Sequence, residues 1–103
     1  SSLPSGDKQS TLISMFVFCM QHGMLWVGNP ILPEQHLGMH PDEAANRLGS
    51  WSGMMAQADH AAPADAFPPG DIKTARMFGK NFAEVLHRVS GAAQTLENLE
   101  MQP

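Results

Sequence analysis

The sequence contains one cysteine and no long apolar run. The single thiol, Cys19, excludes an internal disulfide bond. The longest apolar run, Met15 to Met20, is far shorter than the roughly 20 residues that a membrane-spanning helix needs, so no membrane span is expected. No charged segment followed by an apolar stretch and a cleavage site is visible, and we expect a cytoplasmic protein.

Positive charge is also scarce. Lys and Arg together number 6 against 10 Asp and Glu, which gives a formal net charge of −4. Without a basic cluster, the sequence lacks the electrostatic pattern of a nucleic-acid-binding protein. Hydrophobic residues make up 43% and charged residues 16% of the 103 residues, which excludes a disordered chain and favours one small folded domain.

The common catalytic motifs are absent. No nucleophile elbow, phosphate-binding loop or pair of carboxylates is present. No base lies near Cys19 in the sequence, which favours a buried structural thiol over a nucleophile. His36 and His40 have a spacing that suits a metal on a helix, but Gly38 and Pro41 break the helix. We therefore expect a solvated loop and no metal site.

Local patterns predict one helix and one strand in the first quarter of the chain. The helix is expected from Asp7 or Lys8 to Gln21, with Asp7 as its N-cap and Gly23 as its stop. A broad apolar face at helical spacing supports this helix, and it consists of Leu12, Met15, Phe16, Cys19 and Met20. The segment Met24–Val27 then reads as a short buried strand. A helix followed by a strand is half of a parallel α/β unit.

The remaining residues alternate between long loops and short regular segments. A loop is predicted from Gly28 to about Ser52, and an apolar strand over Gly53–Ala58. Asp71 is the predicted N-cap of a second helix that Gly91 ends. The residues Ala92–Pro103 read as a weak helix or a frayed tail.

This pattern predicts a thin core. The chain holds 8 prolines and 9 glycines, and much of its length is predicted to be loop. Parallel strands are normally buried on both faces, so Trp26, Val27, Met54 and Met55 would need neighbouring strands that this chain lacks. We therefore expect that the 103 residues do not form a stable domain alone.

The segment Ser1–Gly6 is rich in serine and directly precedes the first helix. Such a loop offers free backbone N–H groups and hydroxyls, which can hold an anion or the polar edge of a cofactor. An ordinary connection is the alternative interpretation of the same residues.

Three segments, in order, resemble one known family. The pattern Ser-Ser-x-x-Ser-Gly-x-x-Gln-x-Thr-Leu at the start is followed by Gln-His-Gly-Met-Leu-Trp-Val-Gly at Gln21–Gly28. The segments Asn46–Gln57 and Pro69–Gly79 continue the match. Together they resemble flavodoxin-like NAD(P)H:quinone oxidoreductases of the tryptophan-repressor-binding-protein type, and the related NADPH-dependent FMN reductases.

The resemblance implies an α/β fold, the C-terminal part of a flavodoxin-like three-layer domain with a parallel sheet. It implies FMN as the cofactor, NAD(P)H as co-substrate, and hydride transfer through the flavin to a quinone-like acceptor. The implied flavin-binding residues are Ser1, Ser2, Leu3, Pro4, Ser5, Gly6 and Gln21. Gln21 stands where the family has the first histidine of a His-His-Gly motif. No residue of this chain is implied as a catalytic acid or base.

The resemblance also implies a missing part. The family's phosphate-binding loop and first three strands have no counterpart here, so residues 1–91 match the C-terminal half of the FMN-binding domain and 92–103 form a tail. An N-terminal half of the protein or a partner subunit would complete the FMN-binding domain. The family resemblance also suggests a homo-oligomer. The alternatives are a flavodoxin-like electron carrier and a non-enzymatic protein-interaction module.

Trp51 lies between two serines, just before the second predicted strand. The family resemblance places Arg47–Gly53 near the cofactor mouth or a subunit interface. The alternative is a tryptophan that covers the local core.

Overall fold

The computed structural model describes residues 1–101, and within them the regular structure is helical. Helix α1 spans Lys8–Gln21 and helix α2 spans Pro69–Glu100. Between the helices the chain forms loops with three short 3₁₀ turns, at Gln35–Leu37, Pro41–Glu43 and Pro63–Asp65. Gln102 and Pro103 of the predicted tail lie outside the described residues.

The predicted bounds of α1 are confirmed, and Asp7 occupies the predicted N-cap position, but it makes no side-chain cap. Asp7 adopts a left-handed backbone conformation with φ of 52°, and its side chain caps no backbone N–H group. The chain leaves the helix through His22, whose N–H donates to the carbonyl of Cys19. Gly23 follows with φ of 67°, a conformation that glycine adopts at little cost.

The second helix begins earlier and ends later than predicted. It starts at Pro69, because proline suits the first helical position, where its missing N–H has no helical partner. Asp71 therefore lies in the first turn instead of at the cap. Gly91 does not end the helix, which continues to Glu100. A single glycine costs about 1 kcal/mol in a helix and does not by itself stop one.

The prediction of an α/β fold with a parallel sheet is wrong for this structure. Across residues 1–101 no segment pairs as a strand, so the C-terminal part of a three-layer flavodoxin-like domain is not formed. The two predicted strands, Met24–Val27 and Gly53–Ala58, lie in irregular chain without a ladder. Two residues that flank the predicted strands are hydrogen-bonded to each other: the Asn29 N–H donates to the Trp51 carbonyl at 2.9 Å. Neither run forms a strand, because a strand needs a paired neighbour, and the first run is not buried either, since Met24 is 51% and Leu25 77% exposed.

The buried part of the structure consists largely of a hydrogen-bonded polar cluster. Asn46, with φ of 43°, donates through Nδ2 to the Ile31 carbonyl at 2.9 Å and accepts from the Ser50 N–H at 3.0 Å. Its own N–H donates to Thr74 Oγ1 at 2.9 Å, which ties the loop to α2. The buried apolar residues of the described chain are few and mostly small: Ile31, Ala44, Ala45 and Ala66.

The molecule is extended, and much of its apolar surface is open. Its radius of gyration is 17.4 Å, whereas a compact domain of this length has about 13 Å. Leu25 is 77% exposed and Phe18 56%, and α1 has no buried residue. Exposed apolar surface on this scale is typical of a surface that another polypeptide covers. Neither helix of the described chain is long and apolar enough to cross a membrane.

Candidate functional site

The loop Ser1–Gly6 closes tightly on itself. Ser1 Oγ donates to the Leu3 carbonyl at 3.0 Å. Gly6 has φ of 50°, and a Cβ added there would lie 1.9 Å from Ser1 Oγ and 2.6 Å from Ser1 Cβ. Both the backbone conformation and the space therefore require glycine at this position.

Lys8 organises the carbonyl groups of this loop. Its ammonium donates to the carbonyl oxygens of Leu3 at 2.5 Å and Pro4 at 2.7 Å, and to that of Ser5 at 3.4 Å. The Lys8 N–H also donates to the Ser5 carbonyl at 2.9 Å. These contacts gather the loop's acceptors on one side, against the first turn of α1.

The amides of the loop remain available as donors. Within the described chain, five backbone N–H groups in and next to the loop donate no hydrogen bond. They belong to Ser2, Leu3, Ser5, Gly6 and Asp7. The residues of this loop are all exposed. Free N–H groups before a helix N-terminus attract anions and carbonyl-type acceptors, because the helix dipole adds partial positive charge there.

A cavity of about 240 Å³ lies beside the loop. Its polar side is formed by Ser1, Gly6, Lys8 and Thr11, and its apolar side by Leu12 and the segment Met54–Ala56. Pockets that enclose a whole drug-sized ligand are about 300–1,000 Å³, so this one suits an edge of a larger molecule.

Two backbone contacts hold the loop against the segment 56–58. The Ser1 nitrogen donates to the Ala56 carbonyl at 3.3 Å, and the Ala58 N–H donates to the Ser1 carbonyl at 2.9 Å. Gln9 adds a side-chain hydrogen bond to Ser52 Oγ at 3.1 Å. The loop, the start of α1 and residues 52–58 therefore form one unit.

Gln21 lies at the other end of α1. The helix rises about 20 Å between its first and last residues, which separates Gln21 from the Ser1–Gly6 loop. Its side chain is exposed and lines neither the cavity beside the loop nor the cavity at the two tryptophans. Of the seven residues singled out in the sequence, six are consecutive and form the loop, and only Ser1 and Gly6 of these line the cavity. The flavin-binding role of all seven stays a prediction.

The two tryptophans border a second cavity of about 650 Å³, which α2 closes with Asn81, Val85 and Arg88. Trp26 is held by a hydrogen bond from Nε1 to the Ser52 carbonyl at 2.8 Å and by an edge-on contact with Phe16 at 5.6 Å. Trp51 is 53% exposed at the rim. Its predicted place at a cofactor mouth or an interface stays a prediction.

A buried ion pair fixes the loop that carries Trp51. Arg47 donates from Nε to Asp71 Oδ1 at 2.7 Å and from Nη2 to Oδ2 at 3.0 Å, and Asp71 is 2% exposed. The Gln57 N–H donates to the same carboxylate at 2.9 Å. Hydrogen bonding to Asp71 raises the pKa of Arg47. Sequence reasoning missed this pair, and the one signal for it is that Arg47 is the single Lys or Arg between Lys8 and Lys73.

A second contact attaches the loop to α2. Glu34 accepts hydrogen bonds from the Lys73 ammonium and from the Ala45 N–H. These contacts, the one from Lys73 first, hold the pKa of Glu34 below its ordinary value of 4.5. The carboxylate therefore stays charged at neutral pH and holds the loop in place.

The two histidines considered as metal ligands, His36 and His40, each make a different local contact. His36 Nδ1 lies 2.5 Å from the Pro33 carbonyl oxygen, and His40 Nδ1 accepts from the Asp42 N–H at 3.1 Å. In the part of the chain that the structure describes, no three His, Cys, Asp or Glu side chains are grouped for a metal. Cys19 is half-buried on α1. That the protein binds no metal stays a prediction.

Two curated proteins are similar to this chain. It is 32% identical over 81 residues to "Flavodoxin FldP" of Pseudomonas aeruginosa, a match that covers 79% of this chain and 44% of that protein. It is 32% identical over 89 residues to "NAD(P)H dehydrogenase (quinone)" of Archaeoglobus fulgidus, covering 86% and 38%. The chain thus spans less than half of the length of either relative.

Comparison with protein-family models gives no match, and no solved structure matches. The two similarities nonetheless support a relationship to flavodoxin-like proteins, in agreement with the resemblance in the sequence.

Proposed function

We propose that this chain forms part of the FMN-binding site of an NAD(P)H-dependent quinone oxidoreductase. The observation that carries the proposal is the loop Ser1–Gly6, which has N–H groups without hydrogen bonds and lies beside a cavity with polar and apolar lining residues. The similarity to a flavodoxin and to an NAD(P)H dehydrogenase (quinone) supports FMN as its ligand.

The residues of the loop fit the polar edge of a flavin ring. That edge carries carbonyl and ring-nitrogen acceptors, and the loop offers amide donors at Ser2, Leu3, Ser5 and Gly6. The small side chains allow close approach of the backbone, and the apolar wall of Met54 and Met55 suits the ring face. Lys8 contributes by binding the carbonyl oxygens of Leu3 and Pro4, which holds the loop in its closed shape.

FMN, when bound, supplies the capacity to take up a hydride and pass electrons to a quinone-type acceptor. The residues of this chain position and shield the ring. The amides of the loop bind its acceptors, and Met54, Met55 and Leu12 exclude water from one side. No residue of this chain is proposed as a catalytic acid or base, because the flavin itself carries the hydride.

The proposed function requires further polypeptide. The chain spans 44% and 38% of the lengths of its two relatives. In α1, Met15, Val17 and Phe18 are 52%, 48% and 56% exposed, which leaves this helix without cover on its outer side. We propose that an N-terminal half of the same protein, or a partner subunit, covers this surface and holds the phosphate of FMN.

The test is a visible absorption spectrum, which reports bound FMN, followed by an assay of NADH or NADPH oxidation. The purified intact protein is expected to bind FMN stoichiometrically and to oxidise NADH or NADPH with a soluble quinone as acceptor. Failure to retain or rebind FMN would contradict the proposal. The choice between the two nicotinamides follows from the ratio of the two kcat/KM values.

A flavodoxin-like electron carrier is the second candidate, and the similarity to a flavodoxin favours it. This function predicts FMN binding with no turnover of NADH or NADPH. A reductase partner would then have to supply the electrons. The same two measurements separate the candidates.

A further inference from the structure

The segment 54–58 forms one wall of the cavity beside the Ser1–Gly6 loop and also holds that loop. Its first three residues line the cavity. The Ala56 carbonyl accepts from the Ser1 nitrogen at 3.3 Å, and the Ala58 N–H donates to the Ser1 carbonyl at 2.9 Å. A displacement of this segment would therefore move the cavity wall and the start of the loop together.

The same segment has few supports of its own. Each of its residues lies outside regular structure, so no helix or strand ladder holds it. Within residues 1–101 its hydrogen bonds reach two partners only, Ser1 and Asp71. The bonds to Ser1 join it to the loop. The bond from the Gln57 N–H to Asp71 Oδ2, at 2.9 Å, is therefore the one that attaches it to α2.

Asp71 is a rigid anchor for this bond. It lies in the first turn of α2 and is 2% exposed. Arg47 donates from Nε to Oδ1 at 2.7 Å and from Nη2 to Oδ2 at 3.0 Å. A bidentate pair of this kind fixes the plane of the carboxylate. The position of Oδ2, and with it that of the Gln57 N–H, is therefore set by α2 and Arg47.

Asp71 itself lies outside the cavity beside the loop. Its side chain does not line that cavity, and its carboxylate binds Arg47 and Gln57 but no residue of the Ser1–Gly6 loop. Any effect of Asp71 on a ligand in the cavity must therefore pass through the segment 54–58.

We propose that Asp71 is a positioning residue of the FMN site: its carboxylate fixes the segment 54–58 and, through Ser1, the Ser1–Gly6 loop. The identity of the ligand rests on the proposed function, whereas the link from Asp71 to the loop rests on the hydrogen bonds. Removal of Oδ2 leaves the half-buried Gln57 N–H without an acceptor, which favours a shift of the segment toward water. Because the cavity wall and the loop would then move together, FMN binding should weaken about 10-fold or more.

Two double variants of the intact protein separate the acceptor from the ion pair. Both carry Arg47→Met, so neither leaves an unpaired buried charge. Asp71→Asn in this background keeps an oxygen that can accept from the Gln57 N–H, whereas Asp71→Leu, of similar volume, offers none. FMN titration by quenching of flavin fluorescence should give a Kd about 10-fold higher or more with Asp71→Leu than with Asp71→Asn. Asp71→Ala in the same background is the second variant without an acceptor, should Asp71→Leu not fold.

Two further measurements distinguish positioning from a general loss of stability. All variants are compared at a temperature at which far-UV circular dichroism shows them folded. At saturating FMN, the visible circular dichroism of the flavin should differ between the two double variants, because it reports the surroundings of the bound ring. Without FMN, hydrogen exchange of the Ala58 N–H should be about 10-fold faster or more with Asp71→Leu than with Asp71→Asn, because its bond to Ser1 is loosened.

Glu34→Gln is the matched control. It weakens the other ion pair between the loops and α2, the one with Lys73, but Glu34 makes no hydrogen bond to the segment 54–58 in the described chain. Equal FMN affinity or equal Ala58 exchange in the two double variants, or the same loss of affinity with Glu34→Gln, would overturn the positioning role. A wild type that binds no FMN would instead contradict the proposed function, and the exchange rates would still decide whether Asp71 fixes the segment.

Discussion

Replacement of Asp71 by asparagine tests the ion pair that holds the loop to α2. The Asp71 carboxylate accepts hydrogen bonds from Arg47 Nε at 2.7 Å, Arg47 Nη2 at 3.0 Å and the Gln57 N–H at 2.9 Å. An amide cannot neutralise Arg47, whose side chain is 14% exposed, and its NH₂ group would face one of these donors.

The expected cost follows from that geometry. Breaking a buried pair by removing one partner costs about 3–5 kcal/mol, and the residual exposure of Arg47 places this case near 3 kcal/mol. That is a large fraction of the stability of a small domain. In the intact protein, which by the length of its relatives has roughly 150–250 residues, the midpoint of thermal unfolding would fall by about 6–12 °C.

Urea titration followed by far-UV circular dichroism measures the effect. Asp65→Asn is the matched control, because Asp65 is exposed and its carboxylate makes no hydrogen bond in the described chain. Combining Asp71→Asn with Arg47→Met should cost less than the sum of the single changes by about 2 kcal/mol. The reasoning is refuted if Asp71→Asn and Asp65→Asn differ by less than about 0.5 kcal/mol.

Four further predictions concern the loops and α2. A Cβ at Gly70 would lie 2.4 Å from a backbone carbonyl oxygen, so Gly70→Ala should cost about 2 kcal/mol or more in the same titration. Gly91→Ala should raise stability by up to about 1 kcal/mol, because nothing lies within 4 Å of its Cβ position. The pKa of Glu34 is lowered in the folded state, chiefly by Lys73, so its contribution is complete above pH 4.5 and is lost as pH falls through the lowered pKa. The stability difference between the wild type and Glu34→Gln should therefore be present at neutral pH and disappear in acid. Trp51→Ala should change acceptor kinetics or assembly more than stability, since the side chain is 53% exposed, and a large loss of stability with normal turnover and assembly would favour a core role.

The sequence predicted those elements whose signals are local. The apolar spacing and Gly23 located α1, because a helix forms its hydrogen bonds within its own segment. The predicted N-cap of α2, Asp71, lies three residues after the observed one, Pro68, since Pro69 is itself a good first helical residue. Gly91 was a misleading stop signal, because the helix tolerates it.

The predictions that failed depended on distant residues. A strand requires a neighbour, and Met24–Val27 finds none within the described chain. The bonds between Asn46 and Thr74, and between Arg47 and Asp71, join residues 28 and 24 positions apart. No local pattern specifies such pairs. For the candidate site, the sequence located the Ser1–Gly6 loop but could not show that Lys8 orders its carbonyls.

FMN titration of two glycine variants tests the central claim most directly. Gly6 and Gly23 both adopt positive φ, 50° and 67°, but only at Gly6 would a Cβ collide with the loop. In the intact protein, Gly6→Ala should weaken FMN binding about 10-fold or more relative to Gly23→Ala, measured by quenching of flavin fluorescence. Equal FMN affinity in the two variants, or an intact protein that binds no FMN, would contradict the account.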